Sequence, residues 1–219
     1  MDSPPSIFSA EGTAAHSIAH YLLVSGGNAE APAHTLWSAD GFKGHFQSAD
    51  LAAIQSYIDC VRREPGLKFY EVDTPGTAER GGTADAVALD VDARNIHVFD
   101  LKFGKGVPVD AQGNLQMLEY AVGALRKFDY LCDWETVTTS IVQPRRDHFD
   151  SWTYTRAEVE THDVDMSVAA VLSLTAQKLT GAALDAARTP SEGACLWCPI
   201  RSGCVARSRE IINMFKVLT

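Results

Sequence analysis

The sequence has no apolar run approaching the roughly 18 residues that a membrane-spanning helix needs. Its start, "MDSPPSIFSAEG", lacks both a basic lead and an apolar h-region. It therefore does not read as a secretory signal, and a cytoplasmic protein with no membrane partner is the expectation. No glycine-rich phosphate loop follows the first expected strand, and "GFKGH" and "GKGVP" match neither nucleotide fingerprint. Positive charge is scarce: 19 Lys and Arg stand against 28 Asp and Glu, for a net charge of −9. That balance argues against a generic polyanion binder but leaves room for a local basic groove. Internal repeats and low-complexity tracts are absent too.

What is present suits one ordinary domain. With 219 residues, 46% of them hydrophobic, the chain can bury a core, and disorder is not expected. Charge is uneven: "EVETHDVD" at 158–165 is acidic, whereas Arg201, Arg207, Arg209 and Lys216 face only Glu210 in the last segment. The pairs Arg62-Arg63, Arg126-Lys127 and Arg145-Arg146 read first as solvated surface.

Periodicity predicts a helix from about Thr13 to Val24, ended by Gly26-Gly27, then a loop of small residues. A second helix, capped by Ser48 or Asp50, stops before Pro65-Gly66. "LKFYEVDT", "GTADAVALD" and "NIHVFDLKF" follow as strands, with "VDARN" turning the chain between the last two. A helix starts near Asp110 or Asn114 with Leu115, Leu118, Val122 and Leu125 as its stripe. "ETVTTSIVQPR" is a further strand and "DSWTYT" a short one, before a long helical stretch and an irregular segment opening at Pro190. A short helix, "CVARSREIINMF", closes the chain. The expected class is α/β or α+β, a small mixed sheet flanked by helices with a C-terminal cysteine-containing segment.

Asp85 and Asp100 sit on adjacent expected strands, and Lys102 shares a face with Asp100. In a hairpin, both aspartates reach the same sheet edge. Two carboxylates there suit a hard cation such as Mg²⁺, and a neighbouring lysine suits a water attacking a phosphoryl group. Taken alone, D-x-K is a common tripeptide with a bland reading as edge or turn residues. Inside an apolar strand, however, unpaired charges are expensive, which favours a functional reading.

Asp85 followed by "DLK" at 100–102 resembles the PD-(D/E)xK nuclease core. His16 in "GTAAH" and Gln116 with Tyr120 in "NLQMLEYA" are similar to further motifs of its RecB-like branch. "FDLKFGKGVPVDAQGNLQMLEYA" is particularly similar to a phage and prophage family of such nucleases. The resemblance implies a restriction-endonuclease-like core over residues 11–155, a helical segment over 156–189 and a metal or cluster segment over 190–219, all in one nuclease domain, 1–219. It implies Asp85, Asp100, His16 and the Leu101 carbonyl as ligands of Mg²⁺ or Mn²⁺. Lys102 would position the water, with Glu71 as a further acidic member of the catalytic set. Gln116 and Tyr120 would steady the DNA or the lysine, with Lys105 as a DNA-binding support. His20 reads instead as a packed or surface histidine.

Five cysteines are present, and Cys195, Cys198 and Cys204 form C-x2-C-x5-C. In a cytosolic chain that spacing suggests metal before disulfides. It is similar to the last three cysteines of the iron–sulfur RecB-like nucleases, which implies a [4Fe–4S] cluster, with zinc the second choice. The fourth cysteine of that pattern, upstream of His16, has no counterpart after Met1, which suggests a truncated or mis-started frame. Cys60 and Cys132 read as small buried hydrophobes or free thiols.

The function expected is a metal-dependent deoxyribonuclease, an exonuclease of phage recombination or DNA end processing in a bacterial host cell. A single-strand annealing protein or a helicase is the expected protein partner. The alternative is a catalytically inactive nucleic-acid-binding or scaffold module that keeps the fold. A zinc-ribbon interaction protein explains the late cysteines but not the strand-borne acids.

Overall fold

The computed structural model describes residues 5–31, 34–76, 81–196 and 198–217. Met1 at the chain start and Trp197 inside the cysteine run lie outside them. The chain divides into two compact units, 1–166 and 167–219. The division falls inside a helix, α4 (Arg156–Ala176).

In the first unit, α1 (Ile7–Ser25) begins earlier than the periodicity suggests. Ser6 caps it: its hydroxyl accepts the Ser9 N–H, and the Ser9 hydroxyl accepts the Ser6 N–H. Gly26 ends it at φ 79°, donating its N–H to the Leu22 carbonyl. The segment expected as loop forms a hairpin, β1 (Leu36–Ala39) and β2 (Phe42–His45). Asp40 and Gly41 turn it at φ 48° and 82°, the double left-handed geometry that an Asp-Gly pair supplies. α2 (Ser48–Arg63) follows, with the Asp50 carboxylate accepting the Gln47 N–H.

A five-stranded sheet forms the centre, in the order β3 (Leu67–Pro75), β4 (Gly81–Asp90), β5 (Asn95–Leu101), β6 (Thr136–Gln143) and β7 (His148–Thr155). Only β5 and β6 run parallel, because α3 (Leu115–Phe128) makes the crossover between them. The class is therefore α+β with a mixed sheet, as expected. Leu22, Ile54, Tyr57 and Ile58 from α1 and α2 cover one sheet face over Ala86, Ala88, Phe99 and Leu101. Met117, Ala121, Leu125 and Phe128 of α3 cover the other over Val87, Leu89, Ile96 and Val98. Each such fully buried large side chain contributes about 1.5–3 kcal/mol relative to exposure.

The paired cations expected on a solvated surface are mostly structural. Arg62 donates to the Leu22 and Gly27 carbonyls at 2.7 and 2.9 Å, satisfying the end of α1. Arg145 lies 2.6 Å from Glu11 and 3.3 Å from Asp50, with its guanidinium 4.6 Å from the centre of the Phe103 ring. This largely buried ion cluster joins the starts of α1 and α2 to the end of β6. Arg126 pairs with Asp163 at 2.6 Å, and Lys127 donates to the Asp73 carbonyl at 2.9 Å. Close packing sets the remaining geometry, including where α3 meets β3. A Cβ at Gly123 would lie 2.6 to 2.8 Å from Thr74 atoms, two of them backbone.

Gly123→Ala must therefore push α3 away from β3. Urea unfolding should show a loss of about 1–3 kcal/mol, the usual cost of overpacking. Unchanged stability would mean that this contact has slack.

Candidate active site

Three acids occupy one level of the sheet, and each sits where regular pairing is interrupted. The β4–β5 ladder runs from Asp90 opposite Asn95 to Ala86 opposite Phe99. One step further, Asp85 would face Asp100. Instead, the Leu101 N–H donates to Asp85 Oδ2 at 2.6 Å. β5 stays with β6, pairing Asp100 with Ile141 and Leu101 with Val142, and the Lys102 N–H still reaches the Val142 carbonyl at 2.8 Å. On the other side of β4, Tyr70 pairs with Ala86 and Val72 with Ala84, while Glu71 between them is left-handed at φ 49°. That kink reverses the alternation of β3: Tyr70 packs on the α1–α2 side and Val72 on the α3 side. A left-handed glutamate costs about 1–2 kcal/mol locally.

Asp100 is 4% exposed. Lys102 Nζ lies 3.2 Å from its Oδ1 and 3.0 Å from its Oδ2. The Oδ2 approach is an ion-pair contact without hydrogen-bond alignment, so Oδ2 is buried with no hydrogen-bond partner. Burial raises the Asp100 pKa, the Lys102 charge opposes that, and the Asp85 charge reinforces it; the net shift is upward. Gln116 Oε1 accepts from Lys102 Nζ at 2.9 Å, while Gln116 Nε2 donates to Tyr120 Oη at 2.8 Å and Asp100 Oδ1 at 3.3 Å. Asn114 starts α3 by accepting the Met117 N–H, which presents Gln116 and Tyr120 on one side, four residues apart. Gly82 makes room for that side: a Cβ there would lie 2.7 Å from the Tyr120 ring.

From α1, His16 Nδ1 meets Asp85 Oδ1 at 2.9 Å. Burial lowers the His16 pKa, but the Asp85 hydrogen bond and the charges of Asp85 and Asp100 outweigh it, so the net shift is upward. Of the expected set, His16 and Asp85 form one bonded pair, and Asp100, Lys102, Gln116 and Tyr120 form a second bonded group. The Leu101 backbone stands between them, its N–H on Asp85. Glu71 joins a groove of about 600 Å³ between α1 and the strands, lined also by Thr13, His16, Ser17, His20 and Asp85. Lys105 lies apart from the network, on the exposed loop before α3. Arg146 fixes that loop by donating to the Lys105 carbonyl at 3.0 Å. Gln143 adds bonds to the Val109 N–H and Val107 carbonyl at 2.9 and 3.1 Å.

Two residues of this region were not singled out by the sequence. His20, expected to be packed or on the surface, faces Glu71 with 4.0 Å between Nδ1 and Oε1. Its position four residues after His16 was the available signal. Tyr57 has a buried hydroxyl without a partner. Burial, then the charges of Asp85 and Asp100, push its pKa well above the ordinary value, so it stays protonated. Nothing in a helical core position marked it out.

Among the described residues, no three His, Cys, Asp or Glu side chains converge in a metal-binding arrangement. At the acid cluster, His16 directs Nδ1 at Asp85, so the network is held by hydrogen bonds. In the second unit, after α5 (Gly181–Ala187), Cys195 lies in α6 (Glu192–Leu196), Cys198 in the following turn, and Cys204 is buried just before α7 (Val205–Val217). The segment expected to be irregular thus contains a short helix. The Cys198 N–H bonds to the Cys195 carbonyl at 3.3 Å, and none of the five cysteines forms a disulfide. Among the described residues, no helix is long and apolar enough to cross a membrane.

A family model described as a protein of unknown function, DUF2800, matches residues 1–218. The chain belongs to the DUF2800 family. Among solved structures, this DUF2800 chain is similar to one titled "Crystal structure of SSO0001", at 13% identity and a TM-score of 0.30. The match covers 64% of this chain and 60% of that one.

The upward shift at Asp100 predicts a pH signature. Folding favours the protonated carboxyl, so ionised Asp100 costs stability that returns as pH falls through the carboxylate range. Asp100→Asn should therefore melt above the native protein at pH 7.5, and its advantage should shrink towards about pH 4. An equal or lower melting temperature at pH 7.5 would contradict this electrostatic account.

Proposed function

We propose that this DUF2800 chain is a metal-dependent DNA nuclease of the PD-(D/E)xK type, RecB-like branch. The observation that carries the reading is the parting of β4 and β5 at Asp85 and Asp100, with Lys102 bonded to Asp100 and Gln116. A buried carboxylate oxygen without a hydrogen-bond partner, beside a second carboxylate and an imidazole, fits one hard cation such as Mg²⁺ or Mn²⁺. Asp85, Asp100, His16 and the Leu101 carbonyl would hold it. When bound, it would supply an activated water and neutralise charge on a phosphoryl group.

The chain's own groups do the rest. Lys102 directs its ammonium at Asp100, where it orients a water and meets developing negative charge. Gln116 fixes the lysine by accepting from it, and Tyr120 holds Gln116. Lys105, on its braced loop, reaches towards a phosphate of the bound strand. Arg62, Arg126, Lys127 and Arg145 are instead engaged in holding the fold. The substrate is DNA and the activity is exonucleolytic. The setting is end processing or phage-type recombination in a bacterial cytoplasm, beside an annealing protein or helicase.

Cys195, Cys198 and Cys204 are the candidate cluster ligands of this reading. They supply three thiols, while Cys60 and Cys132 lie in or near helices of the first unit. A [4Fe–4S] cluster or zinc would need a fourth ligand beyond these three, and no step of the reaction is routed through either.

End-labelled linear DNA and covalently closed circles, incubated with Mg²⁺, Mn²⁺ or EDTA, test the assignment. Metal-dependent loss of linear DNA is expected. Asp100→Ala should abolish it, and Lys102→Ala should slow it at least about a hundredfold, each tenfold being about 1.4 kcal/mol. Asp100→Ala cutting at the native rate would refute the site.

A further inference from the structure

The loop between β5 and α3 is tied down more heavily than a connection requires. Besides the bonds from Arg146 and Gln143, His148 Nε2 donates to the Val109 carbonyl at 3.0 Å. Asp150 Oδ2 accepts the Ala111 N–H at 2.6 Å, and Tyr154 Oη accepts the Gly113 N–H at 2.9 Å. Gln143, His148, Asp150 and Tyr154 leave one face of the β6–β7 hairpin, where Gln143 pairs with His148, Ile141 with Asp150 and Val137 with Tyr154. Val137, Ile141 and Tyr154 belong to the core on the α3 side. Ile96 and Val98 belong to it too, and their alternation continues through Asp100 to Lys102. The tied loop therefore lies on the sheet side that carries Lys102.

What the ties secure is exposed chain. Phe103 and Ala111 are buried at either end, but Gly104 to Pro108 all face solvent, Val107 by 80%. A segment held in place while burying little of itself is preorganised for something outside the chain. Its residues say what kind of partner fits. Lys105 supplies a cation, and Val107 supplies an apolar surface two residues on. Gly104 and Gly106 flank the lysine without side chains, so the backbone can be approached closely. A Cβ at Gly106 would meet nothing within 4 Å, so that side is open. A nucleotide offers both complements together, an anionic phosphate and the apolar face of a base.

Resting on the nuclease reading above, we propose that Gly104–Val107 is a preformed subsite for the nucleotide next to the scissile phosphate, with Val107 packing on its base. Lys105 meets the phosphate of the same nucleotide. Every base has an apolar face, so the contact accepts any sequence. Gln143, His148, Asp150 and Tyr154 are positioning residues that act through the loop.

The test uses DNA carrying one abasic nucleotide, scanned across the positions that flank a labelled linkage. Val107→Ser, checked for an unchanged melting temperature, should cut normal DNA roughly tenfold more slowly than the native protein. At one position, loss of the base should slow the native protein by a similar factor and slow Val107→Ser no further. A Val107→Ser protein that cuts normal DNA at the native rate would overturn the proposal. So would abasic DNA that slows both proteins equally at every position, which marks a structural role. Loosening the loop gives a second measurement. Asp150→Ala should raise KM with little change in kcat, and Asp150→Asn, which keeps an accepting oxygen, should restore it. An Asp150→Asn protein as impaired as Asp150→Ala would overturn the positioning role. Native protein that cleaves no DNA, with Mg²⁺ or Mn²⁺, would overturn the nuclease reading itself and this subsite with it.

Discussion

The hydrogen bond from the Leu101 N–H to the Asp85 carboxylate is the interaction on which the site depends. It takes a backbone donor that would otherwise belong to a sheet ladder and gives it to a side chain. β4 and β5 can then separate without leaving that donor unsatisfied, which would cost about 1–3 kcal/mol. The separation keeps Asp85 and Asp100 from the directly opposed positions that continued pairing would have given them. β5 does not fray, because β6 continues to pair with it through Lys102.

Everything around that point serves to hold it. α3 packs by its glycine against β3 and brings Gln116 to Lys102. α1, tied down by Arg62 and Arg145, brings His16 to Asp85. Each carboxylate has a cationic or hydrogen-bonding neighbour, yet Asp100 keeps one buried oxygen unmet. A fold carries such an oxygen at a cost to its own stability, and buried polar atoms without partners are few in native proteins. Three of them, on His20, Tyr57 and Asp100, belong to residues in or electrostatically coupled to this acid cluster.

Much of this was legible in the sequence. The β-branched runs and the turn at Asp90–Asn95 located the central strands. The two-residue spacing of Asp100 and Lys102, and the four-residue spacing of Gln116 and Tyr120, fixed their shared sides. Other features depended on partners distant in sequence. The hairpin at Asp40-Gly41 lies in short, weakly apolar segments whose alternation is faint, so the Asp-Gly pair is its one local signal. Arg145 reads as a surface cation until Glu11 and Asp50, far away in the chain, close around it. The kink at Glu71 has no sequence signature at all, because nothing local requires a glutamate to be left-handed. The place of His20 is legible only in the fold, which shows that its side of α1 meets β3 at Glu71.

The central claim is that the parted strands hold one divalent cation between Asp85 and Asp100, and Mn²⁺ binding followed by electron paramagnetic resonance tests it without relying on turnover. The account predicts saturable binding of one Mn²⁺ to the native protein, weakened at least about tenfold in Asp85→Asn, a loss of about 1.4 kcal/mol. Native protein that leaves the Mn²⁺ signal unchanged, or an Asp85→Asn protein that binds as tightly, would contradict it.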